Sequence, residues 1–211
     1  QEAAVTGRRP LVLAAVVLLL PLVGCDGGGG GGGGGGDADG PATAYDPARD
    51  TSVYDDAPST ETFDDAFRED YEAQVSLPDG RKVRLWYSAS GDRLLEQHYS
   101  PREGAWTTPV VLHRSEEPDP CQGIEVTEED GVVAVIADFG LYCYDGDPPS
   151  DSLALAATGD LTTWDVDSTL GFDGWQAMTI EPAADGPLVT WDGPEGTSLT
   201  WTAASGFAGG A

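Results

Sequence analysis

Three stretches of the chain repeat one pattern of apolar and polar positions. The first is Gln74-Val75-Ser76-Leu77-Pro78-Asp79-Gly80, then Val83-Arg84-Leu85-Trp86-Tyr87. The second is Gly123-Ile124-Glu125-Val126 running to Asp130-Gly131, then Val132-Val133-Ala134-Val135-Ile136. The third is Met178-Thr179-Ile180-Glu181 running to Asp185-Gly186, then Leu188-Val189-Thr190-Trp191. Alternation with a period of two predicts strands. Asp-Gly between two such runs predicts a hairpin, because Gly takes the positive φ that other residues resist. The Asp-Gly pairs stand 51 and 55 residues apart. A third strand is expected in each unit, over Leu94 to Ser100, Ser152 to Ala157 and Ser198 to Ala203. Each leads through a polar turn to an aromatic: Trp106, Trp164 and Phe207.

A fourth short strand is expected at Thr108 to Leu112 and near Val166 to Leu170; the third unit has four residues after Phe207. The fold expected over 60–211 is therefore all-β, a propeller-like array of about three four-stranded antiparallel units. A β-sandwich or an open meander would give similar hairpins. Because propellers usually close with four or more blades, residues 41–71 are expected to add an outer strand to the third unit or part of a fourth sheet. Phe63, Phe67 and Tyr71, spaced by four, fit a short helix equally well. The turns before the aromatics resemble the Asp-box of sialidase-type propellers, Ser-x-Asp-x-Gly-x-x-Trp. Thr158, Asp160 and Trp164 match in kind at a spacing one residue shorter and without the Gly; Ser100, Gly104 and Trp106 match with Arg102 in place of the Asp.

The N-terminus has a different pattern. Arg8-Arg9 precedes an unbroken apolar run from Leu11 to Leu20, too short for the roughly 20 residues that span a bilayer. A basic flank, a short apolar core and small residues after it mark a secretory signal. Leu22-Val23-Gly24-Cys25 resembles the lipobox of bacterial lipoproteins. The resemblance implies removal of residues 1–24 as a signal peptide and acylation of Cys25 with palmitate-like chains, each buried CH₂ contributing about 0.8 kcal/mol. An ordinary cleavable signal is the alternative. The arginine pair also suggests twin-arginine export, but Thr6-Gly7-Arg8-Arg9-Pro10-Leu11 lacks most of that pattern. Ten glycines, Gly27 to Gly36, open a segment rich in Asp, Ala, Pro, Thr and Ser. Residues 25–59 are thus expected to be a disordered Gly-rich tether, the glycine run alone reaching about 17 Å.

Composition narrows the function classes. The formal net charge is −27 over 211 residues, with 37 Asp+Glu against 10 Lys+Arg. Residues 115–211 hold 19 acidic side chains and no basic ones. Nucleic acid is excluded as a partner, since phosphate contacts need clustered Lys and Arg. At 40% hydrophobic and 9% aromatic the chain is too apolar to be wholly disordered.

Cys121 and Cys143 form an even pair once Cys25 is set aside. In an exported chain they are expected as a disulfide, worth about 3 kcal/mol for a loop of this length. An acidic extracytoplasmic domain invites calcium. The best candidate ligands are Asp165, Asp167, Thr169 and Asp173, oxygens at positions 1, 3, 5 and 9 of a loop. That loop departs from an EF-hand in having Gly171 at position 7 and Gln176 where a bidentate Glu belongs. Solvated turns are the plain alternative. Of six tryptophans, most lie in strand registers suited to packing; Trp175, in Asp173-Gly174-Trp175, is expected to be exposed and to stack on a ligand such as a sugar.

Nucleophilic catalysis finds little support, since His98 and His113 are the only histidines and no Gly-x-Ser-x-Gly elbow exists. His98 is expected to be structural. Sialidase chemistry needs an arginine cluster, and none follows Arg114. The expectation is a lipid-anchored, extracytoplasmic lipoprotein at the cell membrane, a non-catalytic binding module for an envelope protein or glycan. The alternatives are a small glycoside hydrolase using paired carboxylates and a calcium-stabilised surface domain.

Overall fold

The alternating runs become antiparallel meanders. The computed structural model describes residues 45–63, 71–141 and 143–209. Backbone contacts divide the chain into Gln1–Ala38 and Asp39–Ala211. The expected signal segment, Cys25 and the glycine run lie outside the described residues, as do residues 64–70 of the expected helix. Among the described residues the fold is all-β, with fourteen strands and two single 3₁₀ turns, Cys143–Asp145 and Pro194–Gly196. No helix there is long and apolar enough to cross a membrane.

Each sequence unit forms one sheet. Sheet A contains β2 (Glu72–Ser76), β3 (Lys82–Tyr87), β4 (Arg93–Ser100), β5 (Ala105–Thr107) and β6 (Val110–Arg114), with β1 (Tyr54–Asp56) beside β5. Sheet B is β7 (Glu125–Glu129), β8 (Val132–Phe139), β9 (Asp151–Ala157) and β10 (Trp164–Leu170). Sheet C is β11 (Ala177–Glu181), β12 (Leu188–Asp192), β13 (Ser198–Thr202) and β14 (Gly206–Gly209). The strand order is open in every sheet, so no barrel closes among the described residues.

The turns follow their chemistry. Asp130 and Gly131 take φ of 53° and 78°, which joins β7 to β8 through two residues with Glu129 opposite Val132. The other two Asp-Gly pairs sit in longer loops, 77–81 and 182–187.

The central strands of sheet B, β8 and β9, are packed on both faces, which explains their nearly continuous apolar sequence. Val133, Val135, Phe139, Leu153 and Leu155 meet Val83, Leu85, Tyr87 and Leu94 of sheet A. On the other face, Ala134, Ile136, Ala154 and Ala156 meet Trp175, Ile180, Val189, Trp191 and Trp201. Small alanines stand opposite large indoles across this layer. Trp191 Nε1 donates to the Val135 carbonyl at 3.1 Å, fixing sheet C to the backbone of sheet B. The units therefore stack as three blade-like layers, A on B on C.

Two expectations about the flanks need correction. Residues 45–59 are part of the β domain and not tether: β1 pairs with β5, and Gln97 Nε2 donates to the Ala57 carbonyl at 3.0 Å. They join the first unit instead of completing the third. The third unit completes itself with β14, whose Gly206-Phe207-Ala208-Gly209 pairs with β13 through Leu199 opposite Gly209.

Candidate functional site

Sheet A has a fault in its fourth strand, and the most chemically varied cleft opens there. β5 pairs with Tyr99 and Ser100, whereas β6 pairs with Arg93 to Glu96 in a shifted register. Between them lie Thr108 and Pro109, and Pro109 has no N–H to continue the ladder. Side chains fill the gap: the His98 amide donates to Thr107 Oγ1 at 3.1 Å, and Gln97 Nε2 donates to the Thr107 carbonyl at 2.6 Å. Such irregularities re-aim side chains and gather at functional sites.

The cleft beside this break holds about 630 Å³, between β6 of sheet A and β10 of sheet B. Its wall is largely apolar, with Val53, Val110, Val111, Leu112, Trp164 and Val166. Three of the five exposed large hydrophobics in the described structure rim it: Val53 at 65%, Val110 at 50% and Val111 at 44%. Thr107, Thr108, Thr162 and Thr163 add hydroxyls. Among the described residues no Lys or Arg lines the cleft, and Glu96 is its one acid.

Glu96 and His98 alternate on the face of β4 that carries Leu94, opposite Leu85 and Val83 of β3. They occupy core-facing positions and are 1% and 3% exposed. His98 Nδ1 lies 2.9 Å from Glu96 Oε1, and Nε2 lies 3.2 Å from Ser52 Oγ. Both ring nitrogens are thus engaged, which fixes the ring. The Tyr54 ring meets it edge-on at 5.5 Å. Burial raises the Glu96 carboxyl above its ordinary range, against the opposing pull of His98. Ser52 is held from behind, its amide donating to Asp50 Oδ1 at 2.9 Å. Asp50 also accepts the hydroxyls of Tyr45 and Tyr54, each at 2.8 Å. Burial alone would raise the Asp50 carboxyl; the hydrogen bonds from Ser52, Tyr54 and Tyr45 outweigh it and leave it lowered.

A second groove of about 540 Å³ gathers the hairpin ends of all three sheets, with Pro78, Arg81, Asp130, Gly131, Pro182 and Pro187 on its walls. Its arginine is already spent. Arg81 donates to Asp79 at 2.8 Å and to the Gly159 carbonyl at 2.6 Å, and stacks on Tyr45 at 3.6 Å.

The sites expected from sequence fare unevenly. Cys121 and Cys143 are bonded, with Cα atoms 5.4 Å apart, because the Cys121 amide continues the pairing beyond β7 onto Asp138. Asp165, Asp167 and Thr169 are not in a loop: they alternate along β10, paired with Ala156, Ala154 and Ser152. Thr169 Oγ1 donates to Asp167 Oδ1 at 3.3 Å, so these two side chains are paired with each other along the strand. Asp165 also accepts Trp201 Nε1 at 2.7 Å. Neither these residues with Asp173 nor any other described group of three or more His, Cys, Asp or Glu is arranged to hold a metal. Trp175 is core, 4% exposed, because its amide donates to Ser152 Oγ at 3.1 Å and draws the turn onto sheet B. A buried indole offers no face for the stacking on a sugar expected of it.

No protein-family model matches the chain, and no curated protein matches it.

Proposed function

We propose that the protein is a lipid-anchored binding module on the extracytoplasmic face of the cell membrane, and that its ligand seat is the cleft between β6 and β10. Acyl-Cys25 is the anchor in this reading, and the residues after it hold the stacked sheets away from the bilayer. The observation that carries the seat is the gathering of Val53, Val110 and Val111 around one concavity. Exposed apolar side chains are ordinary when scattered; clustered around a cleft of 300–1,000 Å³ they mark a ligand site. The absence of cationic lining matches an uncharged, predominantly apolar group, borne by an envelope glycan, lipid or protein. The Cys121–Cys143 bond supports an oxidising compartment. Glycoside hydrolysis by paired carboxylates is less well supported, because Glu96 is the one acid among the described residues that line this cleft.

Titration of the full chain with the uncharged fluorophore Nile red tests the seat. Saturable binding is expected for the wild type, with at least tenfold weaker binding for Val111→Glu, whose carboxylate would stand at the rim. Equal binding by the two proteins would refute the assignment.

A further inference from the structure

The polar residues of the cleft are arranged in an order that ligand binding alone does not require. We propose that Ser52, His98 and Glu96 act as nucleophile, general base and positioning residue in the hydrolysis of uncharged carboxylic esters of apolar acids. The proposal rests on the cleft being the ligand seat.

The connectivity is that of a serine hydrolase relay, recognised by geometry and not by chain order. Ser52 Oγ is 3.2 Å from His98 Nε2, and His98 Nδ1 is 2.9 Å from Glu96 Oε1. The three come from two separate elements, the segment before β1 and the strand β4, and all line the same cleft. Stability gives no reason for the pair. A buried His–Glu couple on a core-facing strand surface is commonly no better than two well-packed apolar residues, and Leu94 occupies the equivalent place on the same face. The Ser52 hydroxyl is also placed with care: Asp50 fixes its backbone, and two tyrosine hydroxyls fix Asp50.

The walls choose the substrate. With no Lys or Arg among the described residues of the lining, none of them balances a substrate carboxylate or phosphate, whereas Val53, Val110, Val111 and Val166 suit an acyl chain. Thr107, Thr108 and Thr163 supply hydroxyl donors for developing negative charge on the carbonyl oxygen, the Thr162 hydroxyl donating instead to Asp160 at 2.7 Å. In the first step Ser52 Oγ bonds to the carbonyl carbon and its proton passes to His98 Nε2. The carbon–oxygen bond to the alcohol then breaks, and the departing alkoxide takes that proton. Water completes the cycle by the same path: it loses a proton to His98, its oxygen bonds to the acyl carbon, and Ser52 leaves with the proton as the acid is released. Glu96, accepting Nδ1–H, keeps Nε2 free to receive the serine proton.

The full chain is assayed with p-nitrophenyl butyrate and, separately, with an alkyl fluorophosphonate that captures an activated serine by loss of fluoride. The wild type should release p-nitrophenolate and be labelled at Ser52 by peptide mass. Ser52→Ala should lose labelling and at least 100-fold in kcat/KM while still binding Nile red, which shows it folded. Glu96→Gln should lower kcat with KM nearly unchanged, a split that a purely structural role would not produce. Wild-type protein that binds Nile red but is neither labelled nor active overturns the relay and leaves the ligand seat intact. Turnover or labelling that persists in Ser52→Ala overturns it too. Wild-type protein that fails to bind Nile red overturns the seat, and the relay with it.

Discussion

Asp138 is buried between sheets B and C at 2% exposure, with Oδ1 lacking a partner among the described residues. Burial is the main reason its carboxyl is raised from 3.8 to about 6; the Ser152 hydroxyl opposes the shift and the charge of Glu125 adds to it. The folded chain therefore holds this proton more tightly than the unfolded chain does. Its contribution to stability is fully present below pH 3.8 and is lost as pH rises through about 6. At 1.36 kcal/mol for each pH unit between those values, the loss comes to about 3 kcal/mol. Asp138→Asn removes the titration without removing the shape. The measurement is thermal unfolding of both proteins from pH 4 to pH 8, read as the difference between them so that other carboxylates cancel. The wild type should lose about 2.4 kcal/mol relative to the variant between pH 4 and pH 7, or roughly 5–10 °C in midpoint for a domain of this size. Parallel curves would refute the reasoning, since they would mean that Asp138 ionises as freely folded as unfolded.

Two further outcomes follow from the placement of single residues. Trp175→Ala empties a site against Phe172 and the alanine face of sheet B; it should cost about 3–5 kcal/mol, and an unchanged melting midpoint would return Trp175 to the surface. Cys25→Ser should shift the protein from the membrane fraction to the soluble one, and continued membrane retention would sink the lipid anchor.

The hairpins were legible because alternation and Asp-Gly act locally. Val132 to Ile136 reads as a strand, and the positive φ at Asp130 and Gly131 is what the dipeptide accepts. β14 was hidden because Gly206-Phe207-Ala208-Gly209 has almost no apolar period; it is held by backbone pairing to β13. β1 was hidden for a related reason, as Tyr54-Asp55-Asp56 has the polarity of the tether before it. Asp165, Asp167 and Thr169 alternate as strand residues do, and in sequence that alternation is indistinguishable from the ligand spacing of a loop. Trp175 follows Gly174 in what reads as a solvent-facing turn, but a tertiary bond to Ser152 folds that turn inward. The site had one visible signal, two polar residues, Glu96 and His98, in the core phase of a strand begun by Leu94. Its third member lies 46 residues before His98, and no local pattern links them.

The central claim is that the cleft between β6 and β10 is where the protein meets its ligand. Hydrogen exchange of the full chain with and without saturating Nile red tests it most directly. Protection should fall on residues 52–53, 107–112 and 161–166, which line the cleft. Protection confined instead to 78–81, 130–131 and 182–187, the groove at the hairpin ends, would contradict it.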